Sequence, residues 1–252
     1  MFETSEIIKS LVIIAVGILA GIINTLAGGG SMLTLPILIL SGLPSPIANA
    51  TNRVAIFFQN VTATVKFKSH GELKIKPVLP IAGAAVIGSI IGSLFAVKLD
   101  SQTFDKILGT LLLFMLIFIL LPKKKQNKKE QNLPLIVELI VFFGIGLYGG
   151  FIQAGVGFLF LGALNLLSNK DLIKSNAIKV FIVGTYTFFA LVIFIIADKI
   201  VWKYGIILAI GNSIGAYLGV KLAIKKGEVI IKIILTIAIL TSFLKLFGIL
   251  TF

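Results

Sequence analysis

The sequence predicts an all-α polytopic membrane protein of two inverted repeats, each with about five segments and a short broken helix after a Gly-rich loop. Three observations predict it. The 252 residues are 58% hydrophobic, with a mean hydropathy of +1.09 and only 13% charged, where a soluble domain carries about a quarter charged residues. Apolar runs recur along the chain and reach the ~20 residues that a helix needs to cross a bilayer. Glycine, asparagine and lysine landmarks recur at one spacing in the two halves.

In chain order the first five segments are A (7–26), B (31–41), C (47–67), D (76–97) and E (104–121). After them come A′ (134–153), B′ (157–167), C′ (175–196), D′ (204–221) and E′ (229–249). Between the two sets, "PKKKQNKKEQN" (122–132) is the longest polar run. The chain thus divides into a first transmembrane repeat at 1–121, a basic cytoplasmic linker at 122–133 and a second repeat at 134–252, together one membrane domain. The start, "MFETSEIIKS", is acidic, and no cleaved signal peptide is expected.

Sliding the chain over itself by 127 residues, without gaps, aligns Ala27-Gly28-x-Gly30 with Ala154-Gly155-x-Gly157 and Asn49-Ala50 with Asn176-Ala177. The same offset places Gly88, Gly92 and Lys98 on Gly215, Gly219 and Lys225. One offset held over several separated landmarks points to an internal duplication, a common way to build a secondary transporter.

Charge decides how the halves are oriented. Lys66, Lys68, Lys74 and Lys76 lie in connector C–D, five lysines lie in the central linker, and Lys221, Lys225 and Lys226 lie between D′ and E′. Connectors B–C and D–E carry no net positive charge. If every segment crosses, the basic connectors share one face, as the positive-inside rule requires, with C′–D′ (Lys199 and Lys203 against Asp198) a mild exception on the other. Five segments per repeat is an odd number, so the second repeat is inverted. This rule also explains the net charge of +13 without nucleic acid. The chain has no cysteine and a lone histidine, His70, in a charged loop, which leaves no thiol chemistry and no metal site. Nothing resembles a catalytic grouping or a nucleotide loop, so neither an enzyme nor a cofactor is expected.

B and B′ have about 11 residues each, roughly 16 Å of helix against a hydrocarbon core of about 30 Å. The glycine loops before them therefore belong at depth, where irregular backbone is tolerated in protein or around a cavity. A helix N-terminus there presents free N–H groups and a positive dipole end to an anion. The competing reading is close helix packing by small residues. On the site reading, substitution of a loop glycine abolishes binding without unfolding the protein.

At these residues the sequence resembles the sulfite exporter TauE/SafE family. "LAGGGSMLTLPIL", "IANATNRVAIFFQN" and "GSIIGSLFAVKL" carry the resemblance, repeated as "IQAGVGFLFLGAL", "SNAIKVFIVG" and "GNSIGAYLGVKL". It covers roughly residues 10–250 and implies a multi-pass permease of the prokaryotic plasma membrane for small anions such as sulfite or an organosulfonate. Thr51 fits the family's small-polar pattern; Ile178, its counterpart, departs from it.

The expected substrate-binding residues are Asn24, Gly28, Gly29, Gly30, Ser31, Asn49, Thr51, Asn52 and Arg53 in the first half, with Gln153, Gly155, Gly157, Asn176 and Lys179 in the second. Arg53, the one arginine, either faces a partner or aqueous path or snorkels outward. Asn24 and Gln153 either complete an anion's hydrogen bonds or tie down loop backbone. Glu138 is the acid best placed for proton coupling, unless it is interfacial. The function expected is secondary transport of a small anion by alternating access; the alternative is a membrane scaffold or accessory subunit without transport.

Overall fold

The computed structural model describes residues 2–120, 134–168 and 171–246, so the basic linker lies outside the described residues. These contain no strand; nine α-helices follow one another. They are α1 (Phe2–Leu26), α2 (Ser31–Leu40), α3 (Ser45–Ser69), α4 (Leu79–Lys98), α5 (Ser101–Leu120), α6 (Leu135–Phe151), α7 (Val156–Ser168), α8 (Leu172–Ile196) and α9 (Trp202–Leu246). The spans Glu6–Leu26, Lys76–Lys98, Leu172–Ile196 and Trp202–Lys225 are long and apolar enough to cross a membrane. Ile7, Leu11, Ile87, Phe95, Ile140 and Ile196 are exposed, an apolar exterior that suits lipid and not water. The protein is a multi-pass α-helical membrane protein.

Proline and aspartate set the helix starts. Pro44 is the N-cap of α3, so Ser45 is the first helical residue, and no side chain caps the helix. Pro46 fills the first turn, where its missing N–H removes no helical bond. Asp171 caps α8, accepting the Lys174 backbone N–H at 2.7 Å. The short elements are short as expected: α2 has 10 residues and α7 has 13, about 15 and 20 Å of helix.

One expectation fails. D′ and E′ are not separate segments: α9 runs unbroken from Trp202 to Leu246, so the second half has four helices among the described residues. The lysines at 221, 225 and 226 suggest a connector from sequence. "VKLAIKKGEV" holds no proline and a single glycine, and Lys, Leu, Ala and Glu are good helix formers. Charge alone does not end a helix.

Packing exchanges partners between the halves. α4 lies on α6 and α1 on α9. A Cβ added at Gly88 or Gly92 would run into the backbone at Phe143 or Leu147, and one at Gly211 or Gly215 into that at Ile14 or Ile18. Residue numbers rise together in both pairs, so each pair is parallel, backbone on backbone, which only small residues permit. α3 is also parallel to α9, with Val54 beside Gly205 and Gln59 bonded to Asn212. Against α6 it runs the other way, for Asn49 meets Phe151 while Arg53 meets Gly149. α1 and α6 therefore point in opposite directions.

Candidate functional site

α1 and α6 both end inside the protein, in the two glycine loops. Gly28 and Gly155 have φ of +93° and +69°, a conformation that favours glycine. The loops meet directly: a Cβ on Gly28 would strike the Gly157 backbone, and one on Gly157 would strike Gly28. A Cβ on Gly29 would press on the Phe158 ring, and one on Gly30 on Ala20 and Asn24. Gly30 is the N-cap of α2 and supplies no side-chain bond; the Met32 and Leu33 N–H groups turn back instead onto Gly29 O and Gly30 O, both at 3.0 Å.

Buried polar side chains of α3 and α8 close around these loops. Arg53 is fully buried. Its Nη1 donates to Gly149 O and Gln153 Oε1, both at 3.0 Å, and its Nη2 to Gly150 O at 2.6 Å. Its guanidinium also lies 4.7 Å over the Phe194 ring. Asn49 donates to Phe151 O at 3.0 Å. Arg53 thus neither snorkels nor faces a carboxylate; it caps the carboxyl end of α6, where the helix dipole is negative.

The second half mirrors this. Lys179 is buried and donates to Asn24 O (2.8 Å), Thr25 O (3.0 Å) and Asn176 Oδ1 (2.7 Å). Asn176 donates to Leu26 O at 3.1 Å. The α8 pair caps the carboxyl end of α1 as the α3 pair caps α6. Each half holds the end of the other half's first helix.

The remaining expected residues divide by what they touch. Gln153 holds Arg53 through Oε1 and reaches Thr187 Oγ1 at 3.1 Å through Nε2. Thr51 accepts the Val201 N–H at 3.1 Å, just before α9. Asn24 and Ser31 are buried beside the first loop. Asn52 is fully buried, yet neither of its amide atoms has a partner. Glu138 sits in the first turn of α6, at the opposite end of that helix from the loop.

Sequence reasoning missed Ser93, Thr187 and Tyr186. Ser93 Oγ bonds Gly150 O at 3.1 Å, and the Tyr186 hydroxyl accepts from Gln153 Nε2 at 3.5 Å. In sequence they are unremarkable members of apolar helices. Ser93 does stand one residue after the landmark Gly92, the only signal available.

The site's chemistry is cationic. Among the described residues no carboxylate pairs with Arg53 or Lys179; the ion pairs there involve Glu6 and Asp171. No group of metal-ligating side chains occurs among the described residues. An apolar cavity of about 280 Å³ beside α6 and α7, lined by Val141, Ile145 and Phe158 among others, offers an anion nothing.

The chain is 29% identical over 223 residues to a "Probable membrane transporter protein" of Haemophilus influenzae, covering 88% of each chain. It is 28% identical to the "Probable membrane transporter protein YfcA" of Escherichia coli K12, covering 88% of this chain and 83% of that one. No solved structure matches the chain. Residues 13–246 match the family described as "Sulfite exporter TauE/SafE". With nearly its whole length so matched, the chain belongs to the sulfite exporter TauE/SafE family of membrane transporters.

Proposed function

We propose that the chain is a secondary transporter that moves a small anion, of the sulfite or organosulfonate class, by alternating access between two inverted halves in a prokaryotic plasma membrane. One observation carries the reading: two buried cations, Arg53 and Lys179, stand at the loops without a carboxylate partner among the described residues. Each faces a helix carboxyl end worth roughly half a negative charge, while the amino end of α2 or α7 adds about half a positive one. About one positive charge per half is left over, and an anion neutralises it. The opposed directions of α1 and α6 and the reciprocal capping support the inversion. The substrate class rests on the family description, and the compartment on bacterial relatives. No coupling proton is placed here, because Glu138 is at the far end of α6.

The test is the melting temperature of the purified protein with sulfite, sulfate, thiosulfate, sulfoacetate and short carboxylates. A ligand at a hundred times its Kd stabilises by about 2.7 kcal/mol, and Arg53→Gln should remove the response. If no anion shifts the wild type and reconstituted vesicles show no flux, the scaffold or accessory-subunit reading replaces this one.

A further inference from the structure

Three side chains on one face of α3 carry polar atoms that the protein leaves unpaired. Asn49 Oδ1, both amide atoms of Asn52 and Arg53 Nε are buried without a hydrogen-bond partner. Asn52 and Arg53 follow Asn49 by three and four positions, so each neighbours it on the helix surface. Asn52 is 0% exposed, so the solvent does not satisfy it.

The equivalent pair on α8 is closed. Asn176 Nδ2 donates to Leu26 O and Leu172 O, its Oδ1 accepts from Lys179, and Lys179 uses its three protons on three acceptors. Thr25 and Ser175 have unpartnered hydroxyls nearby, but a hydroxyl both donates and accepts and states no preference. Gln59 Nε2 and Asn212 Oδ1 are left over beside the one bond that joins those two amides, whereas the densest demand is on α3 at positions 49–53. It has two kinds: donors at Arg53 Nε and Asn52 Nδ2, and acceptors at Asn49 Oδ1 and Asn52 Oδ1.

A fully deprotonated anion offers only acceptors. It would answer the donors and leave two amide oxygens facing it lone pair to lone pair, and a buried unpaired polar group is costly. Resting on the anion-transport reading above, we propose that the α3 face selects an anion that also donates a hydrogen bond. The ligand class is an oxyanion that keeps an acidic O–H, or an anion bearing an O–H or N–H substituent. Its charged oxygens take Arg53 Nε and Asn52 Nδ2, and its hydrogen goes to Asn52 Oδ1. Asn52 is thereby a specificity-determining residue.

Two matched pairs test this on the purified full-length chain by calorimetric Kd: sulfate against hydrogenphosphate, and formate against hydrogencarbonate. Members of a pair are alike in shape and charge but only the second donates. The donor-bearing member should bind about tenfold tighter or more, the cost of one unsatisfied buried group. Asn52→Leu should erase that preference. Asn52→Ala, which adds no bulk, gives the same readout if the leucine variant does not fold. Equal affinities within each pair in the wild type overturn the inference and leave the anion reading intact. So does a preference that survives in the folded Asn52 variant. Absence of binding by both donor-bearing anions also overturns it; if the sulfur oxyanions give no response either, the anion reading falls with it.

Discussion

Gly28 and Gly157 meet backbone to backbone, each filling the space that a Cβ on the other would need. The loop glycines are therefore structural as well as close to the site, and their substitution does not leave the fold untouched. Gly28→Ala combines a positive φ of 93° with overpacking and should cost about 2–4 kcal/mol. Gly162→Ala is the control: an added Cβ in α7 meets nothing within 4 Å, and Ala in a helix gains about 0.5–1 kcal/mol over Gly. Thermal melting separates the two, and equal melting temperatures would refute the loop contact.

Arg53→Lys should be nearly as damaging as Arg53→Gln. The guanidinium spreads its bonds over Gly149, Gly150 and Gln153, a fork that a single ammonium does not reproduce. A loss of about 2–3 kcal/mol is expected, together with any anion-induced rise in melting temperature. Full retention of both by the lysine variant would show that charge alone suffices.

Asp171→Ala removes the N-cap of α8 and should lower stability by about 1 kcal/mol, with Asn or Ser restoring most of it. Burial pulls the Asp171 carboxyl up, but the Lys174 backbone N–H holds it below its usual value overall. With a depressed folded value, the cap's contribution is present above the ordinary carboxylate range. It fades as pH falls below about 4, so the wild type and Asp171→Asn should converge in acid. An unchanged gap would show that the carboxylate's charge plays no part.

Because the chain has no cysteine, single cysteines report sidedness cleanly. Cysteines at His70 and Lys225 should be labelled from the same face, and one at Ser45 from the other. Labelling of positions 70 and 225 from opposite faces would break the parallel run of α3 and α9.

The landmarks were legible because duplication copies side chains. Asn49 and Asn176 share the offset of 127, and both turn out to bond the last helical carbonyl of a first helix, Phe151 or Leu26. The partners were not legible. Arg53 and Lys179 bond mainly to main-chain oxygens, which every residue owns, so no pattern in the sequence marks Gly149 or Asn24 as the acceptor. Lys179 is also one position out of register with Arg53, since strict alignment sets it on Asn52; only the fold reveals that the two cations do the same work. The unbroken α9 was not legible either, because a run of lysines suits both a connector and a helix leaving the membrane.

Reciprocal capping has a consequence for how the chain is made. The carboxyl end of α1 is held by Lys179, 155 residues beyond Asn24. While the ribosome is still translating the first half, that end has exposed carbonyls and no cation, and the Arg53 guanidinium has no α6 to grip. The first half entering the bilayer is thus an unfinished object, with a naked charge and an open helix end that the insertion machinery must shelter until the second half arrives. Maturation should come as one late, concerted locking step and not as two successive foldings. Truncated chains ending before residue 179 should be degraded, whereas two halves synthesised as separate chains in one cell can still find each other.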